Sequence, residues 1–180
     1  MYPLICHRQF GQDTWPHLKS VYNLARHLTR NKQEAEDVVQ ETYLRAVRFY
    51  PRFQGGDARP WLLKIARNVF YTRLRRNPPF EPRDFDRQPT SGHEQFRNPE
   101  DAVIQSARRS LLQRALAAVP RHCREVLVLR ELEEMSYREM SVVLGVPAGT
   151  VMSRLSRART CLLQCMTDLV NTSTKKTANE

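Results

Sequence analysis

The feature that most constrains this chain is the segment 77–101, NPPFEPRDFDRQPTSGHEQFRNPED, which separates two stretches of helical periodicity. The segment is net acidic and rich in proline and turn-forming residues, and it holds too few apolar side chains to offset the entropy of ordering. We therefore interpret it as a flexible linker. Neither flanking stretch shows strand-like alternation or an internal repeat. The sequence predicts an all-α fold, with small helical domains at residues 1–76 and 102–166 and a disordered tail at residues 167–180.

The charge of the chain indicates a polyanionic partner. The 180 residues carry a formal net charge of +10, which is typical of proteins that bind nucleic acid or an anionic membrane surface. No apolar run approaches the roughly 20 residues that span a bilayer, and the start MYPLICHRQF lacks the features of a signal peptide. We therefore expect a cytoplasmic protein without membrane insertion. Residues 45–76 contain many basic residues and a single acidic one, Asp57. The basic residues are Arg45, Arg48, Arg52, Arg59, Lys64, Arg67, Arg73, Arg75 and Arg76.

The spacing of the cysteines and of the other reactive side chains does not match a known pattern for a catalytic or metal-binding site. Cys6, Cys123, Cys161 and Cys165 show no CxxC pair, so we expect free thiols in a reducing compartment. Cys161 and Cys165 lie one helical turn apart, and a redox or metal role for this pair stays open, although two ligands do not make a zinc site. The sequence shows no nucleophile–base pair and no phosphate-binding glycine loop. We expect a binding protein rather than an enzyme, with no cofactor and no metal.

The first domain contains a helix with an unusual outer face. Asn31 and Glu34 form a capping-box pattern that predicts a helix from there to about Phe49. At about 100° per residue, the outer face holds one leucine, Leu44. This leucine is either a stray exposed side chain or the apolar anchor of a docking surface, and periodicity alone leaves the two open. The predicted core face is Ala35, Val38, Val39, Thr42, Ala46 and Phe49, and the polar residues around Leu44 are Asp37, Gln40, Glu41 and Arg48.

The next helix combines aromatic rings with cations. It is predicted to begin at Pro60, which suits a first helical position, and to bury Leu62, Ile65, Ala66 and Val69. Cations can follow the phosphates of single-stranded nucleic acid while rings stack on its bases, each worth on the order of 1–3 kcal/mol. The alternative is that Trp61 and Tyr71 are partly buried core residues and the arginines only add solubility. The aromatic and basic face comprises Trp61, Lys64, Arg67, Asn68, Tyr71 and Arg75.

The second domain ends in a helix-turn-helix pattern. A helix is predicted from Asn98 to the break at Pro120, and another covers RHCREVLVLRELEEM. In SYREMSVVLGVPAGTVMSRLSRAR, Ser136 and Glu139 form a capping box, and Gly145 lies at the turn. The second helix of such a motif enters the major groove, where arginine reads guanine for roughly 1–3 kcal/mol of discrimination. Val151, Leu155, Ala158 and Leu162 are predicted to point inward, and the DNA-facing candidates are Thr150, Met152, Ser153, Arg154, Ser156 and Arg157.

Three blocks of the sequence together resemble a known family. EAEDVVQETYLRA, RPWLLKIARNVFYTRLRR and SYREMSVVLGVPAGTVMSRLSRAR, in this order and spacing, resemble the extracytoplasmic-function (ECF) sigma factors of the sigma-70 family. The resemblance covers roughly residues 15–76 and 105–166. It implies a sigma region 2 bundle at residues 1–76 and a sigma region 4 helix-turn-helix at residues 102–166.

The resemblance also implies roles for these surfaces. The helix with Leu44, Asp37, Gln40, Glu41 and Arg48 is expected to dock on the beta prime clamp helices of core RNA polymerase, and the second domain on the beta flap. The face of the next helix, with Phe53 and Arg59 of the preceding loop, is expected to capture the melted −10 strand. The helix-turn-helix is expected to read the −35 duplex, with Met152 standing where the family frequently has a cation. Members of this family are commonly held inactive by an anti-sigma factor.

Two other functions remain open at this point. A stand-alone helix-turn-helix regulator would bind specific DNA without polymerase and would have no need of Trp61 or Tyr71. A sigma mimic that sequesters an anti-sigma factor could dispense with DNA-facing cations, yet Lys64, Arg67 and Arg154 are present.

Overall fold

The computed structural model describes residues 4–76 and 99–177, and every regular element in these two ranges is helical. The predicted all-α class with two helical regions is therefore confirmed. The linker prediction falls largely on residues 77–98, which lie outside the described residues. The helices are α1 (Leu4–Thr14), α2 (Leu18–Thr29), α3 (Lys32–Phe49), α4 (Ala58–Arg76), α5 (Pro99–Ala118), α6 (Arg121–Leu127), α7 (Tyr137–Leu144) and α8 (Ala148–Thr177).

Helices α1 to α4 form the first unit. Helices α2, α3 and α4 pack against one another in all three pairings, and α1 lies against α4. Helices α1 and α2 lie before residue 31, where the sequence pattern predicted no individual helix. The core of this unit consists of aliphatic side chains that are almost completely buried, chiefly Val21, Leu24, Leu28, Ala35, Val38, Ala46, Leu62, Leu63, Ala66 and Val69.

Helix α3 begins and ends as predicted, but its last core residue was wrong. The Asn31 side chain accepts a hydrogen bond from the Glu34 backbone N–H at 3.0 Å, which caps the helix. Phe49, predicted to be buried, is 47% exposed. The chain turns into a 3₁₀ helix directly after Phe49, and the next residue, Tyr50, packs its ring on Phe10 with centroids 5.2 Å apart.

Helix α4 begins at Ala58, two residues before the predicted start at Pro60. The Asp57 carboxylate accepts a hydrogen bond from the Arg59 backbone N–H at 2.9 Å and so satisfies a donor of the first turn. Pro60 still lies in this first turn, where its missing N–H has no intrahelical partner to lose. The predicted buried stripe is confirmed at Leu62, Ala66 and Val69, and Ile65 is half-buried.

Helices α5 to α8 form the second unit, in which α8 packs against the other three helices. The predicted continuous helix from residue 121 to 135 was wrong beyond Leu127. A π turn follows at Val128–Leu132, closed by the Glu133 N–H donating to the Val128 carbonyl at 3.0 Å. Glu134 then adopts a left-handed conformation with φ 51°. The wider turn changes the direction in which Glu133 is presented, and such π segments are frequent at functional sites.

The helix-turn-helix follows the sequence closely. Ser136 and Glu139 make the predicted capping box, with the Ser136 N–H donating to the Glu139 carboxylate at 2.7 Å. Gly145 ends α7 at φ 68°, where its N–H donates to the Ser141 carbonyl at 2.9 Å, and a left-handed residue at this position favours glycine. Val151, Leu155 and Ala158 are buried as predicted, and Leu162 is half-buried.

Helix α8 continues to Thr177, whereas the sequence predicted a disordered tail from residue 167. Residues 150–177 contain neither proline nor glycine, so no helix breaker interrupts the backbone ladder. Side-chain hydrogen bonds also support the helix. Gln164 donates to Asp168 at 3.0 Å, and Thr167 donates to the Leu163 carbonyl at 3.0 Å.

The two units lie against each other, with α2 near α6 and α4 near α7. Arg124 of α6 joins them through a buried guanidinium. It donates to the carbonyls of Leu116 and Ala117, at the end of α5, and to the His27 carbonyl in the last turn of α2 at 3.0 Å. One cation therefore caps helix carboxyl ends from both units, where the helix dipole favours positive charge. Burial, followed by the neighbouring arginines, lowers the pKa of Arg124 to about 10.

Candidate nucleic-acid and protein interfaces

The outer face of α3 forms a groove with the end of α4. Leu44 is 53% exposed, and the predicted residues Asp37, Gln40 and Glu41 line the groove beside it. Arg48 is exposed on the same helix but does not line it. The structure adds residues that sequence reasoning missed, because a groove between two helices does not follow from the periodicity of one. These additions are Arg45, Thr72, Arg73 and Arg76, and we call the whole surface the α3–α4 groove.

Ion pairs on the groove hold its charged walls in place. Arg73 of α4 donates to the Asp37 carboxylate at 2.9 Å, and Arg45 donates to Glu41, one helical turn away, at 2.7 Å. All four side chains keep substantial exposure, so each pair contributes little stability, on the order of 0–1 kcal/mol. Their effect is to orient charges around an exposed leucine, which is the composition of a protein-docking surface.

An aromatic cluster connects the loop before α4 with the first turns of that helix. Phe53 and Trp61 pack with ring centroids 4.9 Å apart, and Tyr50 stacks on Phe53 at 5.9 Å. Phe53 and Trp61 are both half-buried. Trp61 is therefore partly buried, as the alternative interpretation predicted. The rest of its side chain is accessible to a ligand.

The predicted aromatic and basic face of α4 divides into two parts. Lys64, Asn68 and Arg75 are exposed to solvent. Arg67 and Tyr71 are half-buried against the second unit, and so is Arg59 at the start of the helix. The exposed part is available to a ligand, whereas the other part is already occupied by protein groups.

Glu125 of α6 occupies the middle of this face. Arg67 Nε donates to Glu125 Oε1 at 2.7 Å, and the Tyr71 hydroxyl donates to Glu125 Oε2 at 3.2 Å. The Arg67 guanidinium also lies 4.8 Å from the centroid of the Tyr71 ring. Burial raises the pKa of Glu125 against the opposing effect of Arg67. Burial, and then Glu125, raises the pKa of Tyr71 to about 12, which keeps its hydroxyl protonated as a donor.

Glu133, which follows the π turn, binds the start of α4. Its Oε2 accepts from Arg59 Nη2 at 3.0 Å, and its backbone carbonyl accepts from the same nitrogen. Its other carboxylate oxygen, Oε1, accepts from Asn23 Nδ2 of α2 at 3.0 Å. Sequence reasoning missed both glutamates. The signal was present, because Glu125 interrupts the apolar run CREVLVL and a buried carboxylate requires a partner.

The first turns of α8 present the predicted polar face. Met152, Ser153, Ser156 and Arg157 are exposed, and Met152 is 50% exposed. Thr150 and Arg154 are half-buried. The Ser153 hydroxyl donates to the Thr150 carbonyl at 3.0 Å, within the first two turns of the helix. The exposed residues form a continuous surface on one side of the helix-turn-helix, opposite the buried Val151 and Leu155.

The remaining reactive groups form a small thiol cluster in the second unit. Cys123, Cys161 and Cys165 are free, and Cys161 contacts the other two. Burial raises the pKa of Cys123 and of Cys165, which lowers their thiolate fraction. Among the described residues, no group of histidine, cysteine or acidic side chains has an arrangement that could hold a metal ion. None of the helices in residues 4–76 and 99–177 has the length and apolarity needed to cross a membrane.

Comparisons with known proteins identify both units. A family model described as Sigma-70 region 2 matches residues 16–78, and one described as Sigma-70, region 4 matches residues 109–162. ECF RNA polymerase sigma factor SigW of Bacillus subtilis is 31% identical over 160 residues, covering 83% of this chain and 84% of that protein. This chain belongs to the ECF sigma factors of the sigma-70 family.

A second relative of this ECF sigma factor is ECF RNA polymerase sigma factor SigE of Mycolicibacterium smegmatis. It is 37% identical over 147 residues, which cover 79% of this chain. The chain spans 56% of the length of that relative.

Two solved structures share the fold of this ECF sigma factor. The sigma factor RpoE in complex with the anti-sigma factor NepR from Bartonella quintana matches with a TM-score of 0.67 and 25% identity, over 89% of this chain and 98% of that one. CnrH in complex with the cytosolic domain of CnrY matches with a TM-score of 0.62 and 26% identity, over 90% of each chain.

Proposed function

We propose that this ECF sigma factor binds core RNA polymerase and directs initiation by reading the −35 element as duplex and the −10 element as a melted strand. The observation that carries the proposal is the presence of two separate basic helix faces with different chemistry. The α4 face combines cations with aromatic rings, whereas the first turns of α8 combine arginine with small polar side chains. The first composition suits unpaired bases, and the second suits base edges in a major groove.

The proposed −10 site uses the exposed part of α4 first. Lys64 and Arg75 would neutralise phosphates, and Asn68 would donate and accept at a base edge. Phe53 and Trp61, near the amino-terminal end of α4, form a pair of rings on which an extruded base can stack. Arg59, Arg67 and Tyr71 extend the same site once the second unit has moved away from them.

The proposed −35 site is the start of α8. Arg154 and Arg157 would reach base edges, with Ser153 and Ser156 between them, while Thr150 near the helix N-terminus would meet a phosphate. Met152 adds an exposed apolar side chain that can contact a thymine methyl group but not a phosphate. We therefore expect the −35 preference of this protein to differ from that of relatives with a cation at this position.

The proposed polymerase contact is the α3–α4 groove, with Leu44 as its apolar anchor and Asp37, Gln40, Glu41 and Arg48 as orienting groups. We propose the beta prime clamp helices as the partner of this groove and the beta flap as the partner of the second unit. The similarity to RpoE and CnrH, whose solved structures contain NepR and CnrY, supports an anti-sigma factor as a further partner.

The proposal is tested by measuring promoter binding with and without polymerase. The chain alone should bind a duplex promoter fragment weakly, and core polymerase should convert this into a specific complex that survives a competitor such as heparin. A stand-alone helix-turn-helix regulator would bind equally well without core polymerase, and a sigma mimic would form no promoter complex with it. Either of those results would refute the proposal.

A further inference from the structure

We propose that Cys123 and Cys161 form a disulfide when the chain meets hydrogen peroxide, and that this bond locks α6 to α8. The inference goes beyond the proposed function, because neither cysteine is among the residues assigned to DNA or to polymerase. Both thiols are free in this structure, which therefore shows the reduced form. The sequence left a redox role open for Cys161 and Cys165, and the structure adds Cys123 to that pair.

The three thiols of the second unit lie together where α6 and α8 meet. The two helices pack directly on each other, and Cys161 of α8 contacts Cys123 of α6 as well as Cys165 of its own helix. Cys123 is 8% exposed, while Cys161 and Cys165 are half-buried against the same core. Folding has therefore already brought these thiols together, which removes most of the entropy cost of a bond between them.

Helix geometry selects the pair of Cys123 and Cys161 over the pair of Cys161 and Cys165. Side chains four residues apart on one helix have Cβ atoms about 5–6 Å apart, whereas a disulfide requires a separation of about 3.5–4.5 Å. Because α8 is a continuous helix from Ala148 to Thr177, Cys161 and Cys165 could bond only if its backbone unwound. Cys123 lies on a different helix, so its sulfur can approach Cys161 without disturbing either helical backbone.

The chemistry takes two steps and uses one molecule of hydrogen peroxide. The Cys161 thiolate attacks one peroxide oxygen, the O–O bond breaks, and the other oxygen leaves as hydroxide and takes up a proton to form water. Cys161 is then a sulfenic acid. The Cys123 sulfur attacks the Cys161 sulfur, the S–S bond forms, and the S–O bond breaks. The departing hydroxide takes the Cys123 proton as a second water, so the two cysteines together are oxidised by two electrons and the peroxide is reduced.

The surroundings of the thiols favour this order of attack. Cys161 is half-buried and can be reached by a molecule as small as peroxide. Burial raises the pKa of Cys123 and of Cys165, which lowers their thiolate fraction and makes them poor first nucleophiles. Arg157, one helical turn before Cys161, opposes the effect of burial on Cys123. This cation therefore favours the Cys123 thiolate when it attacks in the second step.

The bond would stabilise the second unit and leave part of its DNA-facing surface accessible. It closes a loop that contains all of α7 and the first turns of α8, and closing a loop restricts the unfolded chain. At about 100° per residue, Met152 and Ser156 lie on the side of α8 turned away from Cys161, and both are exposed. The oxidised unit should therefore resist unfolding while these two residues stay accessible.

The test maps the bonded cysteines of the full chain by mass spectrometry. The chain is reduced, freed of reductant and treated with hydrogen peroxide, and its peptides are then analysed without a new reduction. A peptide with Cys123 should be bonded to one that contains Cys161 and Cys165, and fragmentation should place the bond at Cys161. A bond at any other pair of cysteines, a bond between two chains, or the absence of a disulfide would overturn the inference.

Thermal unfolding measures the consequence of the bond. The oxidised chain should melt on the order of 10 °C above the reduced chain. Cys161→Ser should lose this gain, whereas the matched control Cys165→Ser, which removes a half-buried thiol from the same helix, should keep it. Peptide mapping of the unmodified chain decides the bond even if a variant folds poorly. Equal melting temperatures of the oxidised and reduced unmodified chain would overturn the locking of α6 to α8.

Discussion

Arg67 Nε lies 2.7 Å from Glu125 Oε1, although 58 residues separate the two in the chain. This ion pair joins the helix that we propose to hold single-stranded DNA to the first part of the unit that we propose to read duplex DNA. A residue that looks from the sequence like a free DNA-binding cation is therefore engaged inside the protein. The same relationship leaves only part of the predicted −10 face exposed, namely Lys64, Asn68 and Arg75.

Replacing Leu44 with arginine should abolish binding to core polymerase without loss of the fold. The side chain is 53% exposed, so a cation there costs little in the free protein, but it would be desolvated in an apolar contact. We expect a loss of affinity of more than about 2 kcal/mol, in the range of interface hot spots, measured by surface plasmon resonance. The control is Leu18→Arg on α2, where a leucine is 39% exposed and does not line the groove. Unchanged binding by Leu44→Arg would remove the groove from the interface.

Asn68→Ala should impair opening of the −10 region more than binding of the −35 duplex. Asn68 is exposed, so its removal leaves the core of the first unit intact. Adding Trp61→Ala should deepen the defect by about 1–3 kcal/mol, the worth of a stacked base, and will also weaken the cluster with Phe53. Permanganate reactivity of promoter thymines reports opening, and polymerase-dependent binding of a −35 duplex gives the comparison. Equal loss in both assays would argue against strand capture.

Arg154→Ala should relax base preference in the −35 element. A paired contact to guanine is worth roughly 1–3 kcal/mol of discrimination, so the preferred base at one position should lose about a factor of ten or more of its enrichment. Arg159→Ala serves as the control, because Arg159 is exposed on the same helix and pairs with Glu131 at 2.8 Å. Selection from a randomised −35 library measures both. A preference identical to that of the unmodified protein would exclude Arg154 from direct readout.

Acid should destabilise the fold through His27. Burial, with Arg124 next, lowers the pKa of His27 from 6.5 to about 4. Between these values the unfolded chain binds a proton that the folded chain does not, so stability that is complete above pH 6.5 is lost as the pH falls toward about 4. The shift corresponds to about 3 kcal/mol.

His27→Phe should therefore lose about 3 kcal/mol less free energy of unfolding than the unmodified chain on going from pH 7.5 to about pH 4. Urea unfolding at the two pH values measures the difference. A His27→Phe profile parallel to that of the unmodified chain would show that His27 is not the acid-sensitive group.

Capping patterns and helical periodicity predicted the features of this structure that are set by residues close together in the sequence. The start of α3 at Asn31 and the capping box at Ser136 follow from side chains that bond within three residues. The buried faces of α4 and α8 follow from helical periodicity. The break of α6 into a π turn did not follow from the local pattern, and neither did the contact of Glu133, the next residue, with Arg59, 74 residues away. Phe49 was assigned to the core because periodicity does not show where a helix end leaves its neighbours.

The candidate binding surfaces were likewise predicted only in part, because contacts between separate helices do not follow from local sequence patterns. The sequence singled out Leu44 as a candidate docking residue and Trp61, Lys64 and Asn68 as candidate strand-binding residues, and the structure leaves Leu44, Lys64 and Asn68 exposed. It could not find the partners of Arg67, since which acid approaches a cation depends on how two separate units pack. Arg45 and Arg73 were missed for the related reason that the α3–α4 groove is formed by two helices together.

Transcription in vitro with purified core polymerase on a diverse promoter library tests the central claim most directly. We predict transcripts that depend on this protein and that start downstream of templates sharing one −35 and one −10 sequence. Core polymerase with the Leu44→Arg variant should give none of them. If core polymerase starts transcripts no better with the unmodified protein than without it, this chain does not direct promoter recognition.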